Sequence, residues 1–139
     1  MHIRPYQTQD NYQLINLWRD SGLTNPSNDP MEDIQRKIEI NPEMLLVGFV
    51  DGKLIASVMF GYEGHRGWIN YLAVAESFRG RGFGRKLIEK TEKLLLKMGC
   101  PKVNLQVRER NASVVDFYLA LGYTNERHIS LGKRLKNMN

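Results

Sequence analysis

The chain has 139 residues, 42% hydrophobic and 25% charged, with a net charge of +5, which is the length and balance of one ordinary globular domain. A chain this long buries a core without staples, and its single cysteine, Cys100, has no partner, so a reducing, cytoplasmic setting is expected. No apolar run reaches the roughly 18 residues of a membrane span, and MHIRPYQTQD lacks the apolar stretch of a signal peptide, so a membrane partner is not expected.

Residues His2 to Tyr6 read as a short strand. Thr8 is placed to cap a helix with Leu14, Ile15, Leu17 and Trp18 on one side. Ser21 to Asn28 is a polar loop. Asp29-Pro30 with Glu32 combines an N-cap, a proline at the first helical position and a capping-box partner, and Met31, Ile34 and Ile38 then share a helix face. Met44 to Val50 is an apolar strand that turns at Asp51-Gly52, a strong hairpin signal, into a return strand from Lys53 to Tyr62. A glycine-rich turn, GYEGHRG, leads to Trp68–Val74 (WINYLAV), apolar enough for a central strand. After RGRGFGRK, a helix carries Phe83, Leu87, Ile88, Thr91, Leu94, Leu95 and Met98 at helical spacing and ends at Gly99 and Pro101. Lys102 to Val107 alternates like a strand. Asn111 starts a helix with Val114, Val115, Phe117, Tyr118 and Leu121, closed by Gly122, and Tyr123–His128 and Ile129–Leu135 read as two final strands. The expected order is β-α-α-β-β-β-α-β-α-β-β in a single domain spanning 1–139, with one parallel β-α-β crossover in a mostly antiparallel sheet. There is no internal repeat or low-complexity linker.

Charge is unevenly placed. Arg79 to Lys102 holds eight Lys/Arg against two Glu, a net of +6, while the rest of the chain nets −1. Such a local patch attracts an anion, although Lys and Glu interleaving from Glu89 to Lys97 is also what a solvated helix face looks like. At its head, RGRGFGRK alternates Gly80, Gly82 and Gly84 with large residues between a strand and a helix. Amide N–H groups at a helix N-terminus lack partners and the helix dipole favours negative charge there. Glycines let an anion approach the backbone, and arginines add bidentate donors, so the chemistry fits a phosphate or pyrophosphate. A Walker loop needs Gly-Lys-Ser/Thr, a dinucleotide fingerprint needs G-x-G-x-x-G, and an RGG-type RNA segment is repeated; none matches. A plain strand–helix turn with surface arginines remains the simpler alternative at this point.

LAVAESFRGRGFGRKLIEKTEKLLLKMG resembles the acetyl-CoA-binding segment of the GNAT superfamily of N-acetyltransferases, with Arg79, Gly82 and Gly84 on its R/Q-x-x-G-x-G/A turn. VRERNASVVDFYLALGY resembles that family's second signature through Asn111, Tyr118, Leu121, Gly122 and Tyr123, in the family's order. The resemblance covers nearly the whole chain. It implies an α/β (α+β) fold whose mixed, mostly antiparallel central sheet splays between the fourth and fifth strands and is flanked by about four helices. It also implies acetyl-CoA as cosubstrate. The pantetheine arm would pair with Leu72, Ala73 and Val74. The pyrophosphate would rest on Arg79, Gly80, Arg81, Gly82, Phe83, Gly84 and Arg85, with Lys86 a further candidate for the outer phosphates. Asn111 would contact the cofactor arm and Tyr118 would protonate the leaving thiolate. Coenzyme A carries roughly three to four negative charges, a match for the local patch.

The implied reaction is direct acetyl transfer from acetyl-CoA to a primary amine. Relatives place a Glu or His base where Trp68, Asn70 or Gln106 stand here. The remaining candidates are Glu63, His65, Tyr71, Glu109 and a water held by Asn70 and Gln106. A free α-amine is roughly 14% neutral at pH 7 and a lysine amine roughly 0.04%, so a site without a strong base suits an α-amine or small amine. Cys100 sits at a helix end, where the dipole disfavours a thiolate, and reads as structural. His2, His65 and His128 lack ligand spacing, so no metal is expected. The competing functions are a non-catalytic acyl-CoA sensor of the same fold and a nucleic-acid binder. The second needs aromatics among the basic residues, and Phe83 is the one aromatic between Arg79 and Lys102. Monomer and homodimer are both compatible with the sequence, and GYEGHRG has no assigned role.

Overall fold

The structure, a computed structural model, describes residues 1–136. They fall into two compact units, Met1–Leu105 and the described residues from Gln106 onward.

The first unit is a five-stranded sheet in the order β1 (His2–Pro5), β2 (Leu45–Val50), β3 (Lys53–Tyr62), β4 (Gly67–Val74), β5 (Val103–Leu105). The first three pairings are antiparallel and β4–β5 is parallel. Asp51 and Gly52, both left-handed, close the β2–β3 hairpin where the Asp-Gly signal put it. GYEGHRG closes β3–β4: Glu63 Oε1 accepts the Arg66 N–H at 2.7 Å and the Tyr62 hydroxyl donates to the Gly64 carbonyl at 3.1 Å. The turn that lacked a role is thus a self-bonded hairpin loop.

Three helices belong to this unit: α1 (Asn11–Asp20), α2 (Pro30–Ile40) and α3 (Phe83–Lys97). Leu14, Leu17 and Trp18 of α1 and Ile34 of α2 pack into one cluster with Leu45, Val47, Leu54, Met59 and Ala73 of the sheet. Leu46, between Leu45 and Val47, points the other way and is also buried, so both faces of the sheet are covered. The α2 start is as expected, with Asp29 Oδ1 accepting the Met31 N–H at 2.9 Å. Thr8 does not cap α1. Residues Thr8–Asp10 form a 3₁₀ turn instead, because Asp10 reaches back to the Gln7 N–H at 2.8 Å and to Arg4 at 2.7 and 2.9 Å, and this tightens the chain ahead of the helix.

The parallel pair is short. Gly67, Trp68 and Ile69 align with Val103, Asn104 and Leu105, while β4 runs on through Asn70–Val74 past the end of β5. The sheet therefore opens between its fourth and fifth strands. The fifth strand is three residues rather than the expected Lys102–Val107, and Gln106 lies beyond its end with its amide donating to Ser130 Oγ at 2.5 Å.

In the second unit, α4 (Ala112–Ala120) follows Asn111 and ends where Leu121 and Tyr123 N–H groups meet the Tyr118 carbonyl, both at 3.0 Å. The two final strands expected over Tyr123–His128 and Ile129–Leu135 are not present among the described residues. Asn125 Oδ1 accepts the Arg127 N–H at 2.9 Å and Arg127 turns left-handed at φ 58°, which breaks an extended run. Ile129, Leu131 and Leu135 are 86–91% exposed. Their alternation describes what a strand would bury, but a strand needs a paired neighbour to exist.

Candidate active site

The glycine turn lies between β4 and α3. After β4 a 3₁₀ turn, Glu76–Phe78, brings the chain to Arg79, whose Nε donates to the carbonyl of Val74 at 2.9 Å and ties the turn to the end of the strand. Gly82, at φ 81°, is the N-cap of α3, and Gly80 is left-handed at φ 78°. A Cβ at either would meet nothing within 4 Å, so open space lies over both. The first α3 bond runs from the Lys86 N–H to the Gly82 carbonyl at 3.1 Å, so the helix ladder leaves the Phe83, Gly84 and Arg85 amides unpaired. Arg79, Arg81, Arg85 and Lys86 are exposed around them. Arg81 lies 5.1 Å from the Phe78 ring and Lys86 5.7 Å from Phe83; Arg85 reaches Glu89 at 3.8 Å. Phe83 is half-buried beside Phe78 and belongs to the packing under the turn.

Leu72, Ala73 and Val74 form the part of β4 that extends past β5, just before this turn. The strand is bulged immediately upstream. Ser57 aligns with Ala73 and Met59 with Asn70, so Tyr71 and Leu72 stand opposite Val58 alone. A bulge leaves one residue out of the ladder. Tyr71 takes φ 51°, the left-handed position that such bulges usually give to glycine, at about 1–2 kcal/mol.

Tyr71 is held at three points. Its carbonyl accepts from Ser57 Oγ at 2.9 Å, and Ser57 in turn accepts from Trp18 Nε1 at 2.9 Å. Its ring stacks on Trp18 at 3.8 Å and 13°. Its hydroxyl donates to Asp33 Oδ2 at 2.6 Å, and Arg36 donates to Asp33 Oδ1 at 2.5 Å. Burial, then the hydrogen bond to Asp33 and the charge of Asp33, push the Tyr71 pKa well above the ordinary tyrosine value. It stays a neutral phenol, which removes it as a phenolate base. Beside it opens a cavity of about 390 Å³ lined by Leu23, Asp33, Met59, Asn70 and Tyr71.

In the second unit, Asn111 occupies the N-cap of α4 but its side chain makes no capping hydrogen bond. Tyr118 is 7% exposed and sits edge-on between Phe117 and Tyr123, with ring centroids 5.0 and 5.4 Å away. Burial raises its pKa, so it holds its proton throughout the neutral range. Of the other base candidates, Glu63 is engaged in the β3–β4 turn, and Glu109 and His65 are exposed. Cys100 is buried, its thiol donating to the Lys102 carbonyl at 3.3 Å, as a structural residue would be. Among the described residues no cluster of three His, Cys, Asp or Glu could hold a metal ion, and no helix is long and apolar enough to cross a membrane.

Residues 11–123 match the acetyltransferase (GNAT) family. The chain belongs to that family. It is 48% identical over 135 residues to an acetyltransferase of Yersinia enterocolitica, covering 97% of this chain and 96% of that one. The fold is similar to that of the PaiA N-acetyltransferase from Thermoplasma acidophilum, solved in complex with coenzyme A, with a TM-score of 0.79 at 20% identity over 92% of each chain. It is also similar to glucosamine-6-phosphate N-acetyltransferase from Arabidopsis thaliana, with a TM-score of 0.69 at 26% identity, covering 97% of this chain and 98% of that one. The protein is thus an acetyltransferase with the GNAT fold, and the opening between β4 and β5 is the splayed sheet that the motifs implied.

One residue lining the cavity beside Tyr71, Asp33, escapes sequence reasoning. Asp33 reads as an ordinary first-turn acidic residue of α2, stabilised there by the helix dipole. No motif links it to Tyr71, 38 positions away, and only the packing of α2 against the bulged strand brings the two together.

Proposed function

We propose that the chain moves the acetyl group of acetyl-CoA directly to a primary amine, a small molecule or an α-amine, in a ternary complex. The observation that carries this reading is the open turn at the α3 N-terminus, where unpaired amides, left-handed glycines and four cations adjoin the end of β4 that runs past its β5 partner. The amides of Gly80–Arg85 would hold the pyrophosphate, with Arg79, Arg81, Arg85 and Lys86 supplying charge. The backbone of Leu72–Val74 would pair with the pantetheine arm as an added strand does. The bulge at Tyr71–Leu72 supports a backbone N–H out of the ladder, able to polarise the thioester oxygen.

From the second unit, Asn111 is assigned to the cofactor arm and Tyr118 to protonation of the departing thiolate. Burial keeps Tyr118 protonated, so the proton is in place, but it also makes the phenol a weaker acid. The transfer is uphill, and since a thiolate is already a fair leaving group only modest help is needed. Trp68, Asn70 and Gln106 offer no base at neutral pH, which favours acceptors with a sizeable neutral fraction at pH 7. The relatives named N-acetyltransferase support nitrogen as the accepting atom. The acceptor's identity, a cytoplasmic location and a monomeric or homodimeric state stand as expectations of the same reading.

The test is release of free thiol from acetyl-CoA by the purified chain as amines are added. Amine-dependent thiol with stoichiometric N-acetyl product supports transfer. Stabilisation by acetyl-CoA with no thiol under any amine would instead make the chain a sensor of acyl-CoA.

A further inference from the structure

Ser57 is fully buried on β3, where a hydroxyl is costly unless it is bonded. Both of its bonds are made, each at 2.9 Å, and their directions follow from the partners. An indole N–H only donates and a carbonyl only accepts. Trp18 Nε1 therefore fills a lone pair of Ser57, and the single Ser57 proton points at the Tyr71 carbonyl. Tyr71 stands in the bulge, where the β3–β4 ladder is interrupted, and its carbonyl takes a donor from this side chain.

The consequence lies one atom further along the chain. A trans peptide is planar, with its C=O and N–H on opposite edges. Holding the Tyr71 carbonyl on Ser57 therefore turns the Leu72 N–H of the same planar unit away from Ser57. The side of β4 away from β3 is the one where, among the described residues, the β5 pairing has ended by Asn70. Trp18, itself fully buried on α1, grips Tyr71 twice. Its ring stacks on the Tyr71 ring at 3.8 Å and 13°, and its N–H holds the hydroxyl that holds the carbonyl.

We infer that Ser57 and Trp18 are positioning residues for acetyl transfer: they fix the plane of the Tyr71–Leu72 peptide and so aim the Leu72 N–H at the thioester oxygen. The inference rests on the acetyl-transfer reading above and names the side chains that set its backbone donor. Such a donor contributes most when it needs no reorganisation at the moment of reaction. A peptide in a bulge lacks the restraint of a regular ladder, and the Ser57 and Trp18 contacts replace it. The backbone of Tyr71 is the independent observation. A bulky residue at φ 51° persists where its surroundings over-determine it. Glycine would carry the same turn without strain but would give Trp18 no ring to hold.

The test follows the carbonyl of bound acetyl-CoA, carbon-13-labelled at that atom, by infrared difference spectroscopy. The native chain is compared with Ser57→Ala, Ser57→Cys and Trp18→Phe, and thiol release with an amine is measured alongside. A polarised thioester carbonyl absorbs at lower wavenumber than the free one. The native band should be lowered, and in Ser57→Ala it should return toward the free position. There kcat should fall about tenfold to a hundredfold, with acetyl-CoA KM nearly unchanged and the acetyl-CoA thermal shift retained. Ser57→Cys, a weaker donor of similar size, should fall between, and it serves if Ser57→Ala does not fold. Trp18→Phe keeps a ring and removes the N–H, and should move the band in the same direction. Leu95→Ala, a buried change near the C-terminal end of α3, should lower Tm and leave the band at its native position. A native band at the free position, a native band retained in Ser57→Ala, or an equal move in Leu95→Ala overturns the inference. Should the native chain release no thiol with any amine, the acetyl-transfer reading fails first and the band alone decides. A lowered native band lost in Ser57→Ala then still upholds Ser57 as the group that sets the donor, and a retained one overturns it.

Discussion

Replacing Gly82 by Asp separates the architecture of the turn from its use. Gly82 sits at φ 81° in open space, so the new side chain meets no neighbour and the folding cost is backbone strain alone. Aspartate visits the left-handed region more readily than most residues, so about 1 kcal/mol is expected, partly offset by about 0.3–1 kcal/mol from a negative charge at a helix N-terminus. With an unfolding entropy near 2.1 cal/mol/K per residue, or about 0.3 kcal/mol/K for 139 residues, the apo protein should lose no more than about 3 °C. Acetyl-CoA at a hundredfold its dissociation constant adds about 2.7 kcal/mol to the native chain, a rise of about 9 °C. In the variant the carboxylate would occupy the anion's place, and the rise should vanish. Thermal unfolding with and without acetyl-CoA reads both quantities on one sample, and Gly82→Ala, with similar strain and no charge, isolates the electrostatic part. If Gly82→Asp still gains about 9 °C, the pyrophosphate does not bind at this turn and the reasoning from helix amides is wrong.

Tyr118→Phe should lower kcat roughly tenfold to a few hundredfold with acetyl-CoA KM nearly unchanged, measured by thiol release; because burial raises the Tyr118 pKa, the native rate should show no loss assignable to this group as pH rises to about 10. Asp10 is buried, which alone would raise its pKa, but the Arg4 hydrogen bonds, the Gln7 N–H and the Arg4 charge outweigh burial and lower it. Its contribution is therefore complete above the unfolded carboxylate pKa of about 4 and lost as pH falls through the lower folded value, so Asp10→Asn should destabilise at pH 7 and flatten the acid limb of a stability–pH curve. Gly67→Ala should cost about 1–3 kcal/mol in denaturant unfolding, since its Cβ would lie 3.0 Å from Cys100 Sγ and 3.1 Å from Leu95 Cδ1; adding Cys100→Ala should recover part of that, and strict additivity would refute the clash.

Where local chemistry decides local structure, the sequence was a sufficient guide. Asp29-Pro30, Asp51-Gly52 and the glycines of RGRGFGRK each carry a backbone preference strong enough to end or begin an element, and all three stand where they were expected. The apolar period of α3 likewise needs no partner to be read. The errors share another cause. Thr8 lost its capping role to a reciprocal bond between Asp10 and Gln7, and Tyr123–Leu135 has strand-like alternation without a ladder among the described residues. Both depend on which groups are nearby in space. The candidate site divides the same way: the glycine turn proposed for the cofactor is contiguous in sequence and its backbone geometry was legible, whereas the Asp33–Tyr71 bond joins a helix to a bulge across 38 positions, and neither residue alone carries a signal.

The order of the sheet has a kinetic meaning. Among the described residues each strand pairs only with its predecessor and successor in the chain, β1 through β5, so no ladder interleaves strands out of order. Such sequential pairing keeps loop-closure entropy low, and topologies of this kind fold faster than ones that interleave distant strands. During synthesis the meander from β2 to β4 can assemble before α3 is complete, and the single parallel pairing, which has to wait for that crossover helix, comes last. The opening beside β4 is thus bordered by the last of the described strands to be made.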